Sequence, residues 1–411
     1  MARVRNILVG QSGGPTAAIN ASLAGVMDAS RELGLRPIGM RYGIKGLLDG
    51  RTVDLSSNLP GKLELELLRH TPASYLGSCR YKLPDPEKDD RPYRQLFDEF
   101  NRLGVGYVLY IGGNDSMDTI ARLSSYGESQ GSDVRFVGVP KTIDNDLLGC
   151  DHTPGYGSAA KFVATATAEI QRDSDVYDLS SVTFVEIMGR DAGWLAAAST
   201  LAGSAGGPSP DVVLLPEVSF DERKLLDRIS NLLERQNTVI VAVSEGLRAP
   251  DGKLLCERAS SGVGTDEFGH LAQLSGTGRY LAALTRERIG CKTRCVELST
   301  LQRCASTTAS AVDLSESRSL GAAGVLAATD SQSGVMVALE RTSTTPYQTR
   351  LVSVDVTKVA DKVRRVPRHW ITPDGMGLTR DFELYARPLV RGEDRPAMVD
   401  GVPQFIAPLR G

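Results

Sequence analysis

Pro140-Lys141-Thr142-Ile143-Asp144-Asn145-Asp146 follows an apolar run over residues 134–139. Such a run, closed by proline and charged side chains, reads as a buried strand with a polar loop at its carboxyl end. Asp144 and Asp146 stand two residues apart, so an extended backbone points both carboxylates the same way. One can take a proton from a hydroxyl while the other orients a metal ion. Lys141 adds positive charge where a phosphoryl group in transfer needs it. A polar turn held by Asx hydrogen bonds would use similar residues. The crowding of lysine, threonine and two aspartates favours chemistry.

The same grammar extends outward. Strand patterns over 5–9, 36–40, 105–111 and 134–139 alternate with helix patterns such as 16–33, where Ile19, Leu23, Val26 and Met27 share a face. A second series places helices at 158–172, 194–201, 221–236 and 271–288, and strands at 181–187, 211–215, 238–244 and 293–298. This alternation predicts α/β domains with mostly parallel sheets, whose ligands bind beyond the carboxyl ends of strands. A length of 411 residues exceeds one ordinary core and predicts two domains.

Composition narrows the partners. Apolar residues make up 41% and charged residues 24%, and the net charge is -3, which gives no footprint for nucleic acid or an anionic membrane. No apolar run approaches the roughly 18 residues of a membrane span. The start of the chain passes straight into a strand pattern with no signal-like segment, so a cytoplasmic protein is expected. The basic cluster Lys362-Val363-Arg364-Arg365 reads as a solvated face. Six cysteines are expected to be ordinary reduced thiols; Cys291, Cys295 and Cys304 lack a nearby histidine that would favour zinc. Of four histidines, His152 and His270 are placed either beside a site or in structural roles.

Every other polar motif also follows a strand. Gln11-Ser12-Gly13-Gly14-Pro15-Thr16 suits an anion at a helix N-terminus, or a plain tight turn. Gly112-Gly113-Asn114-Asp115-Ser116 combines close backbone approach with a carboxylate that can hold Mg²⁺ or repel a further phosphate. Asn114 or Ser116 is alternatively, or additionally, a helix N-cap. Met188-Gly189-Arg190 offers a guanidinium for phosphate, Glu245 a carboxylate for sugar hydroxyls, and Arg294 and Arg303 further cations.

In their order and spacing these motifs resemble the phosphofructokinase family, from Gly10 to about Ala311. The resemblance implies two Rossmann-like three-layer domains with the active site in the cleft between them. Residues 1–155 plus about 304–350 would bind the phosphate donor, and 156–303 plus about 351–411 the sugar phosphate. It implies phosphoryl transfer to the 1-hydroxyl of fructose 6-phosphate with Mg²⁺ as cofactor. Asp144 matches the catalytic base, with Lys141 and Asp115 beside the transfer. Gly13, Gly14, Arg80 and Ser116 match the donor site. Thr142, Ile143, Met188, Gly189, Arg190, Glu245, Thr300 and Arg303 match the sugar-phosphate site, and Arg294 an arginine lent across a subunit interface of a homodimer or homotetramer. Asn114, Asp115 and Asp146 match the metal neighbourhood. Asn114 stands where many members have aspartate, Thr300 where histidine or tyrosine is usual, and Ser181 where many ATP-using members have a second cross-subunit arginine.

ATP-using members typically carry glycine where Asp115 and Lys141 stand. Asp115 would place negative charge at the α-phosphate of ATP. Two like charges ~4 Å apart at an effective dielectric of ~20 repel by roughly 4 kcal/mol. Both positions resemble the pyrophosphate-dependent branch, so pyrophosphate is the expected donor. The rival readings are an ATP-dependent phosphofructokinase and a non-catalytic sugar-phosphate-sensing subunit.

Overall fold

Ile7, Leu8 and Val9 are wholly buried, as a strand covered by helices on both faces requires. The computed structural model describes residues 6–259, 275–360 and 362–409. Its first strands are β1 (Asn6–Gln11), β2 (Pro37–Met40), β3 (Thr52–Asp54), β4 (Val105–Gly112) and β5 (Arg135–Pro140). β6 (Ser181–Ile187), β7 (Val212–Leu214), β8 (Thr238–Ser244) and β9 (Lys292–Glu297) form a second sheet, wholly parallel, in the order β7-β8-β6-β9. The chain then returns as β10 (Val335–Thr344) and β11 (Tyr347–Asp355), and the first sheet reads β11-β10-β5-β4-β1-β2-β3. Only its edge strands β3 and β11 are antiparallel to their neighbours. These are the mostly parallel α/β sheets that the alternation predicted.

The helix Ile19–Glu32 starts later than its pattern suggested, because Thr16 Oγ1 accepts the N–H groups of Ala18 and Ile19 and holds the turn before it. It crosses the helix Ala311–Thr329 at glycines. A Cβ on Gly25 would stand 1.8 Å from the Arg318 carbonyl oxygen, and one on Gly321 1.9 Å from that of Ser22. This contact packs the helix Ala311–Thr329 onto the helix Ile19–Glu32.

The last hundred residues depart from expectation. β11 pairs with β10 along its whole length, Val335 to Asp355, so the first sheet extends past residue 350. Val366, Ile371, Phe382, Tyr385 and Leu389 enter a core of the second domain. Ile406 and Leu409 then pack back against the first core. The basic cluster is also not uniformly a solvated face. Lys362, Val363 and Arg365 are exposed, but Arg364 lies against the Trp194 ring with its guanidinium carbon 4.3 Å from the centroid. The physical reason is that an aromatic face, the Asn145 carbonyl and the Tyr385 hydroxyl satisfy the guanidinium where local charge density alone predicts only water.

Candidate active site

Five strand ends carry the motifs: β1, β4 and β5 from the first sheet, and β6 with β8 from the second. After β1, Gln11 is fully buried and braces the turn, its Nε2 donating to Asn20 Oδ1 and its Oε1 accepting from the Leu76 N–H. Gly13 then adopts φ +78°, a conformation that favours glycine. Ser78 Oγ donates to the Gly13 carbonyl (2.7 Å) and Ser12 Oγ to the Cys79 carbonyl (3.2 Å). These two bonds dock the segment 78–80, and so the exposed Arg80, beside the glycine loop.

Lys141 leaves the end of β5 and is 2% exposed. Its Nζ donates to the Gly14 carbonyl at 2.7 Å. Burial, and the positive charge of Arg303, push its pKa down to about 8, while Asp144 and Asp146 oppose the shift. Arg303 reaches the same loop from the second domain: its Nη1 would lie 3.5 Å from a Cβ on Gly14. Its Nε is buried without a hydrogen-bond partner among the described residues. The two glycines, Lys141 and Arg303 thus form one cationic pocket.

Asp144 and Asp146 are half-buried in the same place. Burial raises the pKa of Asp144 although Lys141, Arg190 and Arg303 all pull it down; Asp191 adds to the rise. Burial, then the neighbouring Asp144 charge, pushes Asp146 up to about 7. The Asp144 charge thus disfavours ionisation of Asp146 on top of its burial. Asn145 between them has φ +54°, which costs about 1 kcal/mol for a residue with a Cβ. Thr142 Oγ1 accepts the Asp144 N–H at 3.1 Å. Ile143 is 5% exposed in a core of the second domain, so its side chain anchors the loop and only its backbone serves the site.

The donor loop after β4 differs in detail from its expectation. The cap of the helix Asn114–Ser129 is Gly113, with no side-chain cap bond, so neither Asn114 nor Ser116 caps it. Ser116 packs its hydroxyl against Gly112, where an added Cβ would meet it at 1.9 Å, and is 2% exposed. Asp115 is exposed in the first turn. Asn114 donates from Nδ2 to the Lys362 carbonyl (3.1 Å), while its Oδ1 is buried without a partner among the described residues. Asn114 Oδ1, Asp115 and Asp146 each offer the hard oxygen type of donor that Mg²⁺ takes.

From the second sheet, Gly189 donates its N–H to Glu245 Oε1 (3.2 Å) and Ser244 Oγ donates to the Gly189 carbonyl (2.6 Å). Burial pushes the Glu245 carboxyl up to about 8, against the Gly189 bond. The Asp144 charge adds to that rise and the Arg190 charge opposes it, which ties β8, β6 and the Asp144 loop electrostatically. Met188 donates its N–H to Gln302 Oε1 (3.1 Å), so Gln302, passed over beside Arg303, braces the loop. Thr300 is exposed and opens the turn that carries Arg303. Arg294 is not brought to this cluster: it is exposed, bonded to Asp173 Oδ2 and Ser174 Oγ at 2.8 Å each. His152 sits between Asp151 and Glu316 as a structural ion partner, and His270 lies outside the described residues. Among described residues no helix is long and apolar enough to cross a membrane.

Sequence reading placed Arg364 on a solvated face and missed Tyr385. Neither belongs to a motif, and both meet the Asp144 loop from more than two hundred residues away, Arg364 at 219 and Tyr385 at 240.

The sequence model described as Phosphofructokinase matches residues 6–327. The chain is 38% identical over 405 residues to the pyrophosphate–fructose 6-phosphate 1-phosphotransferase of Xanthomonas campestris, covering 98% of this chain and 96% of that protein. It is 39% identical to the enzyme of the same name from Halomonas elongata, covering 97% and 95%. The crystal structure of the pyrophosphate-dependent phosphofructokinase from Nitrosospira multiformis superposes with a TM-score of 0.88 at 35% identity, over 98% of this chain and 96% of that one. Likeness of sequence and fold over nearly the whole length, together with the converging loops, places the chain in the phosphofructokinase family.

Proposed function

We propose that the chain moves a phosphoryl group from pyrophosphate to the 1-hydroxyl of fructose 6-phosphate, reversibly, giving fructose 1,6-bisphosphate and phosphate. The observation that carries the donor is the pairing of a buried Lys141, clamped on Gly14, with an exposed Asp115 at the head of the donor-loop helix. The lysine fills the glycine loop and offers a cation to a small diphosphate. The carboxylate charges the space a nucleotide α-phosphate would need.

In this reading Arg190 and Arg303 hold the sugar phosphate, and Glu245 meets the sugar hydroxyls. Asp144 accepts the proton of the 1-hydroxyl as its oxygen attacks phosphorus. Lys141 and Arg80 hold the charge developing on the transferring and leaving oxygens. Asn114, Asp115 and Asp146 would hold Mg²⁺, which when bound neutralises phosphate charge. The burial of Lys141 strengthens its interactions with the charges around it. The chain works in glycolysis, in the cytoplasm, as a homodimer or homotetramer; support for the last is Arg294, exposed and engaged outside the cluster, available to a neighbouring subunit.

The deciding experiment is a coupled assay of purified protein with fructose 6-phosphate and Mg²⁺, offering pyrophosphate and ATP in parallel. We expect kcat/KM for pyrophosphate at least ~100-fold above that for ATP, the margin that roughly 3 kcal/mol of discrimination gives. Equal or better use of ATP overturns the donor assignment. No turnover with either leaves the sensing subunit as the reading.

A further inference from the structure

Asp144 and Asp146 are aimed by a backbone that their own residues do not hold. Between them Asn145 is turned into the left-handed region. Its side chain is fully buried, donating from Nδ2 to Tyr385 Oη (2.8 Å) and accepting at Oδ1 from the Thr153 N–H (3.0 Å). Tyr385 Oη in turn donates to the Asp151 carbonyl at 2.8 Å. One phenol hydroxyl therefore closes the loop from residue 145 to residue 151.

Arg364 completes the clamp. Its backbone N–H donates to the Asp146 carbonyl (2.7 Å), and its guanidinium reaches the Asn145 carbonyl (3.4 Å) and Tyr385 Oη (3.3 Å). The Arg364 carbonyl accepts from Trp194 Nε1 at 3.0 Å. Trp194 heads the helix that follows the Met188-Gly189-Arg190 loop. Two residues earlier on the same strap, the Lys362 carbonyl takes the Asn114 amide of the donor loop. The strap around Arg364 thus touches the donor loop, the Asp144 loop and the helix beyond the sugar-phosphate loop, which belong to two different sheets.

We infer that Tyr385 and Arg364 are positioning residues, which through Asn145 hold the backbone that aims Asp144 and Asp146. This rests on Asp144 being the base. Neither residue need touch a substrate; each fixes the direction of groups that do. A base displaced by about 1 Å loses on the order of 100-fold in rate while the sugar and donor sites stay formed.

The test uses the full-length protein with Y385F, N145A, the double variant, and D144S as control. Y385F keeps the ring packed against Trp194 and Trp370 and removes only the hydroxyl. We expect kcat to fall about 10- to 100-fold, with KM for fructose 6-phosphate and pyrophosphate changed by less than about 3-fold. The double variant should be no slower than the slower single variant, because both break one chain of contacts. Wild-type kcat in Y385F, a rise in KM alone, or losses that multiply would each overturn the proposal. R364K, which keeps the charge and the strap backbone but not the fork, should lose kcat in the same manner, and substitutes if N145A does not fold. D144S separates the two ideas: turnover retained there refutes the base itself, whereas an inactive D144S beside a fully active Y385F refutes only the positioning role.

Discussion

Lys141 is both a structural and a chemical residue. Its ammonium is buried, bonded to one carbonyl, and still faces two carboxylates and Arg303. Burial and Arg303 hold its pKa near 8, and loss of the opposing Asp144 charge would lower it further. An incoming diphosphate does the reverse and holds it charged. Asp115, by contrast, stands in solvent at a helix N-terminus that would otherwise favour anions. Replacing both by glycine (Asp115→Gly with Lys141→Gly) should reduce kcat/KM for pyrophosphate by at least ~100-fold, on the order of 3 kcal/mol, and admit ATP. Parallel donor assays check this, and unchanged pyrophosphate kinetics would refute the donor argument.

At the scale of elements, the packing of the helix Ile19–Glu32 on the helix Ala311–Thr329 holds the glycine loop in place. The first of these helices follows the Gly13-Gly14 turn after the Thr16 turn, and the second is covalently downstream of Arg303. Their backbones meet at Gly25 and Gly321, where a Cβ would overlap a carbonyl oxygen rather than a movable side chain. Gly321→Ala should therefore destabilise the protein by about 1–3 kcal/mol despite its better helix propensity. Thermal unfolding would register this as a fall in Tm, and an unchanged or raised Tm would show that the helices can separate without cost. The β10–β11 hairpin is the other element that joins distant sequence, since it seats Tyr347 beside His152 and Arg341 beside Asp151.

Across the whole molecule, His152 reports how the hairpin, the helix Ala311–Thr329 and the loop after β5 are held together. Burial alone would lower its pKa, but hydrogen-bonded Asp151 and Glu316 outweigh that and raise it from 6.5 to about 9. Arg341 and the Tyr347 hydroxyl also face this group. The folded value lies above the unfolded one, so the stabilisation is fully present below pH 6.5 and is lost as pH rises through about 9. At about 1.4 kcal/mol for each tenfold change in protonation constant, it amounts to about 3 kcal/mol. The variant His152→Gln should lose that stability at pH 6.5 and show a flatter decline of Tm between pH 6.5 and 9; an identical pH profile would remove His152 from the account. None of this was legible in the sequence, where His152 was only a histidine near a motif. What the sequence determined by itself was whatever is local: strands from apolar runs, loops from glycine and charge at their ends, and the placement of Asp144, Lys141 and Arg190 beyond strand ends, because a strand end carries its own loop wherever the sheet goes. The tertiary structure decided whatever depends on chain return: the first sheet's reach to Asp355, the escape of Arg364 from solvent onto Trp194, and the hydroxyl of Tyr385 over Asn145. Those contacts join residues hundreds of positions apart, and no spacing along the chain encodes which buried donor will find which acceptor.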